Sequence, residues 1–427
     1  MAESGIVPLS EVVPYKPGSP WAPLRQPLFL SLWTASLISH TGTWMQNLGT
    51  GWLMTSLTMS PIMVSLVQVA MSLPVFLLAL PAGALADISD RRRVLLFTQG
   101  WMALAAGALG LLTIYGAVTP WLLLLFTFVL GAGAVMNEPA WQAITPELVP
   151  EEQHSSAVAL NSVGFNAARA VGPALAGLII AGAGSGLAFL LNALSFSGVI
   201  VFLYRWRRPH DGAVRNENED VLSAIRAGVR YVRQSHLVKS VLVRTAAFSF
   251  SACALLALLP LIARPFGSVG YGLMLGSFGS GALAGAAILP RFRRRNSMDG
   301  TVAAATAGFA AVTFLAGRLP WFSLLCLDLF GGGIAWMWIL ACLNVAAQTM
   351  SPPRLRARTL SMYILVLQGG MAAGSAAWGA IAERFGVPAA MLGAALGLAV
   401  GVFAIRGGHR PLAVTSWPAA EREQPRI

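Results

Sequence analysis

Apolar segments of about 20 residues recur along the whole chain, and they limit its fold more than any other feature of the sequence. Each segment is long enough to cross the hydrocarbon core of a bilayer, about 30 Å thick, as an α-helix. Charged residues form only 11% of the 427 residues, whereas soluble domains contain about 25%. Because the sequence lacks the alternating segments of about ten residues that are typical of membrane β-barrels, we predict an all-α membrane protein.

The apolar segments divide into twelve predicted transmembrane helices, six in each half of the chain. Very short connections, such as residues 116–120 and 181–186, require successive helices to run antiparallel. The predicted helices of the first half are residues 28–54, 62–86, 94–116, 120–144, 156–181 and 186–204. Those of the second half are residues 240–263, 271–290, 300–318, 321–345, 359–382 and 387–405.

An arginine-rich connection follows the second predicted helix and returns in the second half of the chain. Gly83 and Arg91 lie 202 positions before Gly285 and Arg293. The same offset of 202 relates Arg92 to Arg294, Arg93 to Arg295, Gly131 to Gly333, Pro150 to Pro352, Gly172 to Gly374 and Gly177 to Gly379. Because 202 residues contain six predicted helices, an even number, the two copies insert into the membrane in the same direction. We therefore predict two parallel, pseudo-symmetric six-helix bundles.

Positive charge is concentrated on one side of the predicted bundles. Of the 29 lysine and arginine residues, 25 fall on the side where the odd-numbered helices begin. Because cytoplasmic loops collect lysine and arginine, we predict that both termini are cytoplasmic, in a bacterial inner membrane. The net charge of +12 is spread over these loops and is not gathered on a soluble domain, so nucleic acid is not an expected partner.

Five segments make up the predicted domain organisation. They are a cytoplasmic tail (1–26), a six-helix bundle (27–204), a cytoplasmic linker (205–239), a second six-helix bundle (240–406) and a second cytoplasmic tail (407–427). In the linker, apolar residues at helical spacing alternate with arginines, which predicts an amphipathic helix on the membrane surface or under the bundle. Its apolar residues are Val221, Leu222, Ile225, Val229 and Val232.

Two motifs resemble signatures of the major facilitator superfamily. Gly83-x-Leu85-x-Asp87-x-x-Asp90-Arg91-Arg92-Arg93 resembles the loop between the second and third helices of that family, with Asp90 where glycine is usual. Gly172-Pro173 in the fifth predicted helix is similar to a motif of its drug exporters. Residues 137–150, with Asn161 and Arg169, look like the subgroup of transmembrane secretion effectors that contains the enterobactin exporter. The resemblance covers about residues 25–405.

The resemblance implies a secondary active transporter that opens alternately to the two sides of the membrane and works as a monomer in the lipid bilayer. A proton gradient is its implied energy source, and no cofactor or metal is expected. Many proton-coupled members carry an arginine in the fourth helix, but residues 122–130 contain none. The sequence departs from the family pattern at that position.

Three residues are candidates for proton coupling. Asp328 lies about 12 Å from the nearer end of the tenth predicted helix. Because low-dielectric surroundings favour the neutral form of a carboxyl group, Asp328 is the first candidate, with a carboxyl group bonded to neighbouring hydroxyls as the alternative. Glu138 and His40 are the other two. His40 interrupts the apolar run of the first predicted helix, and a polar contact between helices explains it equally well.

Arg169 lies deep in the fifth predicted helix, about 20 Å along its axis. A charge at this depth costs about 2.5 to 3.5 kcal/mol on translocon scales, so we expect it to face a partner or the central cavity. Two partners remain open: Glu138, on the adjacent helix, or an anionic substrate. Candidate cavity residues of the first, fifth, seventh and tenth helices are His40, Trp44, Asn47, Arg169, Phe248, Phe250, Asp328 and Trp336.

A third group of residues is expected to control opening and closing. Asp87, at the end of the second predicted helix, can accept hydrogen bonds from Arg91 or lie at the positive end of a neighbouring helix. Its counterpart in the second half is Leu289, so only one half carries this carboxylate. The predicted gating residues are Gly83, Asp87, Arg91, Arg92, Gly172 and Pro173.

Enzyme activity is not expected from this sequence. It contains no Gly-x-x-x-x-Gly-Lys-Ser/Thr loop for ATP, no His-Glu-x-x-His and no Gly-x-Ser-x-Gly. We predict an exporter of small amphipathic or hydrophobic compounds, resembling siderophores or drugs, in exchange for protons. The alternatives are an importer of a small polar or anionic nutrient, and a membrane receptor, assembly scaffold or lipid scramblase that transports no solute.

Overall fold

The computed structural model describes residues 19–206, 235–351 and 355–408, and these residues form helices joined by short turns, without strands. The first four helices are α1 (Pro27–Leu57), α2 (Pro61–Ile88), α3 (Arg91–Ile114) and α4 (Pro120–Ile144). The helical segment His154–Arg205 is broken by non-helical backbone at Gly184, so it forms two helices, α5 (154–183) and α6 (185–205). The remaining helices are α7 (His236–Ala263), α8 (Gly267–Arg293), α9 (Met298–Ala316), α10 (Phe322–Thr349), α11 (Arg356–Phe385) and α12 (Val387–Gly408).

Several helices begin at a side chain that accepts a hydrogen bond from the first helical turn. Ser60, Asp90 and Thr119 accept from the backbone N–H groups of residues 63, 93 and 122. Ser235 and Ser297 do the same for α7 and α9. These side chains satisfy N–H groups that have no partner within the helix. Asp90, which replaces the usual glycine of the signature loop, is therefore the N-cap of α3.

The internal repeat of the sequence is also a repeat of the backbone. Gly184 has φ +78° and Gly386 has φ +83°, and the two are 202 residues apart. Each makes the sharp turn between two long helices, α5–α6 and α11–α12, in a conformation that glycine adopts without strain. The first residues of α4 and α10, Pro120 and Phe322, are also separated by 202. The parallel duplication predicted from the sequence is thus present in the helices.

The two ends of the molecule differ in their turns. One end carries the arginine clusters 91–93 and 291–295 and is called the arginine-rich end. The other carries the four glycines with positive φ among the described residues, Gly116, Gly184, Gly267 and Gly386, and is called the glycine-turn end. Because successive helices are antiparallel, α5 runs from the arginine-rich end to the glycine-turn end, and α8 runs the opposite way.

Two pairs of helices make the most extensive contacts between the first half and the second, α5 with α8 and α2 with α11. A Cβ atom on Gly177 of α5 would lie only 2.7 Å from the carbonyl oxygen of Ser268 on α8. A Cβ atom on Gly379 of α11, the counterpart of Gly177, would overlap the side chain of Ser65 on α2 and lie 3.2 Å from the Cα of Ile62. The backbones can approach this closely only because glycine has no side chain, as in other membrane helix pairs. Both contacts lie near the glycine-turn end, where the two halves are closed against each other.

The helices are apolar enough to cross a membrane. Eight segments of the described residues meet the length and composition of a membrane span. Two of them, Glu151–Arg205 and Leu237–Arg293, are long enough to contain two helices each. The predicted fold class, an all-α membrane protein with a duplicated bundle, is confirmed. The predicted amphipathic helix of the linker, most of both predicted tails and Pro352 lie outside the described residues.

Candidate transport site

Arg169 lies where the two halves of the molecule meet. Its guanidinium carbon is 5.5 Å from the ring centroid of Trp44, on α1, and 5.8 Å from that of Phe278, on α8. Both distances are within the range of cation–π attraction. Trp44 belongs to the first half and Phe278 to the second, so one cation contacts aromatic rings of both. Phe278 was not among the residues predicted from the sequence.

Four rings of the first half form a continuous surface beside Arg169, which we call the aromatic cluster: His40, Trp44, Trp141 and Phe165. The His40 ring lies 5.3 Å from Phe165 and 6.5 Å from Trp141, in edge-to-face arrangements. Trp44 and Phe165 are 6.1 Å apart. Three helices, α1, α4 and α5, contribute to this surface. Flat apolar rings of this kind suit a ligand with an apolar body.

Glu138 lies on the other side of the aromatic cluster, next to His40. Its Oε1 accepts a hydrogen bond of 2.8 Å from the Nε2 of Gln142, one turn further along α4. It also interacts electrostatically with His40. The ion pair between Glu138 and Arg169, one of the two arrangements considered from the sequence, is not formed. The structure therefore brings His40 and Glu138 together and leaves Arg169 with aromatic neighbours.

The remaining candidate on α1, Asn47, is half-buried and follows His40 and Trp44 on the same face of the helix. One position earlier, Gln46 is buried and accepts a hydrogen bond of 3.3 Å from Asn192 of α6. Gln46 thus joins α1 to α6, away from the aromatic cluster.

The structure does not bring Asp328 into contact with Arg169, His40 or Glu138. Asp328 is half-buried on α10, directly after Leu327 and one turn beyond Leu324, both of which have exposed side chains. Its Oδ2 is buried and has no hydrogen-bond partner among the described residues. The hydroxyl-bonded carboxyl group considered from the sequence is therefore not formed.

The aromatic candidates of the second half lie behind Phe278. Trp336 is 6.1 Å from Phe278, and it is also 5.5 Å from Phe248. Phe248 and Trp336 are only 4% and 5% exposed, within the apolar core of the second half. Phe250 is partly exposed, and its ring packs against Trp378 of α11. In this conformation Trp336 packs directly behind Phe278, whereas Phe248 lines a cavity within the second half, together with Val302 and Ile339.

The predicted gating residues at the arginine-rich end hold three helices of the first half together. Arg91 donates to Glu147, beyond the end of α4, at 2.9 Å. Arg92 donates to the carbonyl oxygens of Leu203 and Tyr204, at the end of α6. The side chain of Asp87 lies outside the described residues, so its predicted bond with Arg91 stays a prediction. A Cβ atom on Gly83 would meet no atom within 4 Å.

Gly172 and Pro173 are at the contact of α5 with its neighbours. A Cβ atom on Gly172 would lie 2.7 Å from the Cβ of Trp44, so this glycine lets α1 approach α5. The carbonyl oxygen of Pro173 faces Gly272 of α8. The Gly-Pro pair therefore lies between the helix that carries Trp44 and the helix that carries Phe278.

Residues 18–419 match the family model of transmembrane secretion effectors. The chain is 28% identical over 397 residues to the multidrug efflux pump Tap of Mycolicibacterium fortuitum, which covers 89% of this chain and 95% of that protein. It is 27% identical over 164 residues to the staphyloferrin A transporter of Staphylococcus aureus and 23% identical over 269 residues to macrolide efflux protein A of Streptococcus pyogenes. These two matches cover 38% and 62% of this chain, and only 41% and 66% of the relatives.

Solved structures with the same fold include transporters. The nucleoside transporter NupG has a TM-score of 0.72 and 14% identity, over 89% of this chain and 98% of that one. A bacterial homologue of the lysosomal transporter Spinster, described as inward-facing and unoccupied, has a TM-score of 0.69 and 14% identity, over 90% and 97%. At this level of identity the likeness concerns the fold alone.

Proposed function

The chain belongs to the family of transmembrane secretion effectors, within the major facilitator superfamily, and from this membership we propose that it is a secondary active exporter of small amphipathic compounds. The superfamily resemblance stated from the sequence is thereby confirmed, and membership of a transporter family agrees with the expectation that the chain is not an enzyme. Relatives named for macrolide efflux, multidrug efflux and staphyloferrin A transport support a small organic compound as the substrate.

The aromatic cluster together with Arg169 is the observation that carries this proposal. It combines flat apolar rings with a cation at the contact between the halves. A compound with an apolar body and a polar group fits both components. Trp44 and Phe278 belong to different halves. A movement of one half against the other would therefore change the contacts of a compound bound between these two rings.

Alternating access requires contacts between the halves that can be made and broken at each end in turn. At the glycine-turn end such contacts are present, between α5 and α8 and between α2 and α11. The exposed apolar side chains of α5 and α8 nearer the arginine-rich end, such as Val163, Phe165 and Leu283, fit a separation of these two helices there. With the arginine-rich end facing the cytoplasm of a bacterial inner membrane, the compound would enter from the cytoplasm.

Protons are the proposed driving ion. His40 belongs to the aromatic cluster and Glu138 lies near His40, so both could exchange protons during transport, while Asp328 supplies a carboxyl oxygen without a hydrogen-bond partner among the described residues. Movement of protons inward in exchange for the compound needs no cofactor, and a single chain contains both halves. We propose a monomer as the functional unit for that reason.

An efflux assay in a bacterial host that lacks its own pumps tests the proposal. Cells producing the wild-type chain should accumulate less of a fluorescent amphipathic dye than cells with an empty vector. Trp44→Ala with Phe165→Ala should abolish this difference. Trp121→Ala is the control, because Trp121 is exposed at the start of α4 and lies outside the cluster. Increased accumulation in the wild type would instead support import, and equal accumulation over a panel of compounds would contradict transport of this class.

A further inference from the structure

Arg169 differs from the buried Arg244 and the partly exposed Arg91 by having no anionic partner. Arg244, whose side chain is only 3% exposed, forms an ion pair with Asp299, and Arg91 forms one with Glu147. The side chain of Arg169 makes no hydrogen bond and no ion pair with any residue that the structure describes. A guanidinium group has five N–H donors in one plane and always carries its charge. These donors are therefore available at the centre of the molecule.

We propose that Arg169 binds an anionic group of the transported compound, such as a carboxylate, and that amphipathic anions are the preferred substrates. This rests on the function proposed above and specifies its substrate class. The two rings beside Arg169 partly offset the cost of holding a charge in the membrane, since the face of each ring attracts the cation. They do not replace a carboxylate, which can accept two parallel hydrogen bonds from one guanidinium group.

The surroundings of Arg169 define the rest of the ligand. Trp44 contacts both Arg169 and Phe165, so an anion bound to Arg169 would have its apolar body on the aromatic cluster. At the far side of this cluster Glu138 carries the opposite charge, next to His40. A second anionic group near Glu138 would be repelled. The arrangement favours one anionic group at one end of an apolar compound, with a neutral or cationic group allowed at the other end.

The same position connects binding to the movement of the halves. A Cβ atom on Gly279 of α8 would lie only 3.1 Å from the carbonyl oxygen of Arg169, so the backbones of α5 and α8 are in close contact. The side chain of Arg169 spans the same boundary through Trp44 and Phe278. An anion that draws the guanidinium group away from Phe278 would weaken this contact between the halves. Binding at Arg169 is therefore placed where it can alter the balance between conformations.

A matched pair of probes tests this inference: dansyl-phenylalanine, which carries a carboxylate, and its amide, which has the same apolar body without the charge. Binding to the purified protein is followed by energy transfer from tryptophan to the dansyl group. A hydrogen bond to a charged group contributes about 1.5 to 3 kcal/mol, so the wild type should bind the carboxylate roughly ten- to 100-fold more tightly than the amide. Arg169→Gln should lose this preference and still bind the amide, and Arg169→Lys should keep part of it.

Arg318→Gln is the matched control, because Arg318 also contacts an aromatic ring, at 4.1 Å from Phe314, but lies near the start of α10. Its preference should equal that of the wild type. Equal binding of both probes by the wild type, an unchanged preference in Arg169→Gln, or no binding of either probe would overturn the inference.

Efflux of the same probes separates the two proposals. Export of both probes to the same extent would retain the exporter and reject the anion site, whereas anion-selective binding without export would retain the site and reject the exporter.

Discussion

Glu383, near the end of α11, caps the first turn of α2, although the two residues that it binds are more than 320 positions away. Its Oε2 accepts a hydrogen bond of 2.7 Å from the hydroxyl group of Ser60 and one of 3.2 Å from the backbone N–H of Ile62. A carboxylate at a helix N-terminus is favoured both by these donors and by the helix dipole. Since α2 and α11 belong to different halves, this contact holds the glycine-turn end closed.

The equivalent contact between α5 and α8 carries no charge. There the hydroxyl group of Ser268 donates to the carbonyl oxygen of Gly177 at 3.0 Å. The counterpart of Glu383 in the first half is Ala181, 202 positions earlier. The glycine-turn end is therefore closed by two related helix contacts, of which one depends on a carboxylate.

We expect Glu383→Gln to shift the protein toward conformations in which the glycine-turn end is open. Glutamine keeps one acceptor oxygen but loses the charge that interacts with the helix N-terminus, a contribution of about 0.3 to 1 kcal/mol at an exposed site. Spin labels at positions 59 and 385, both exposed and in different halves, should show a larger fraction of long distances. Arg384→Gln, at the neighbouring exposed position, should leave the distribution unchanged, and identical distributions for both variants would contradict the role of Glu383.

Close backbone contact at Gly379 leads to a second prediction. A Cβ atom at this position would overlap the side chain of Ser65 and lie 3.2 Å from the Cα of Ile62. Overpacking of this kind costs about 1 to 3 kcal/mol, so Gly379→Ala should lower the melting temperature in detergent. Gly308→Ala in α9 is the control, because no atom lies within 4 Å of the added Cβ. The control should be neutral or stabilising, since alanine favours a helix by about 1 kcal/mol over glycine.

The ion pair between Arg91 and Glu147 gives a third prediction. Both side chains are partly exposed, at 38% and 23%, and pairs of this kind contribute about 0.2 to 1 kcal/mol. Arg91 also donates to the carbonyl oxygen of Ala143, so Arg91→Ala removes more than the ion pair. We expect it to lower the melting temperature of the first half, whereas Arg93→Ala, at an exposed position, should have little effect. If Arg93→Ala lowered the melting temperature more than Arg91→Ala, the ion pair would not be what holds α3 to α4.

The sequence predicted the helices and the duplication because both depend on local patterns. The length of each apolar segment indicated where the helices lie. The separation of 202 residues between the two halves is found again in the turns at Gly184 and Gly386. Arg169 could be recognised because a charge at that depth is rare. Phe278 and Glu383 could not, because an apolar residue or an exposed carboxylate gains its role only when two helices cross. Contacts between segments far apart in the chain determine where α8 meets α5 and where α11 meets α2.

Asp328 leads to the last prediction, which concerns the driving ion. Its buried Oδ2 has no hydrogen-bond partner among the described residues, so asparagine, which has nearly the same shape, should fit without loss of stability. If Asp328 carries the coupling proton, Asp328→Asn should abolish dye uptake driven by a proton gradient in inside-out vesicles. Exchange of labelled for unlabelled dye, which needs no net proton movement, should continue.

Asp90→Asn is the matched control for Asp328→Asn. Asp90 caps α3 through its side chain, and asparagine is about as good an N-cap as aspartate. The control should therefore keep both the gradient-driven uptake and the exchange. Gradient-driven uptake that survives in Asp328→Asn would assign the proton to another group, and His40 and Glu138 beside the aromatic cluster would then be the residues to change. Loss of exchange as well would indicate that Asp328 is needed for the conformational change itself.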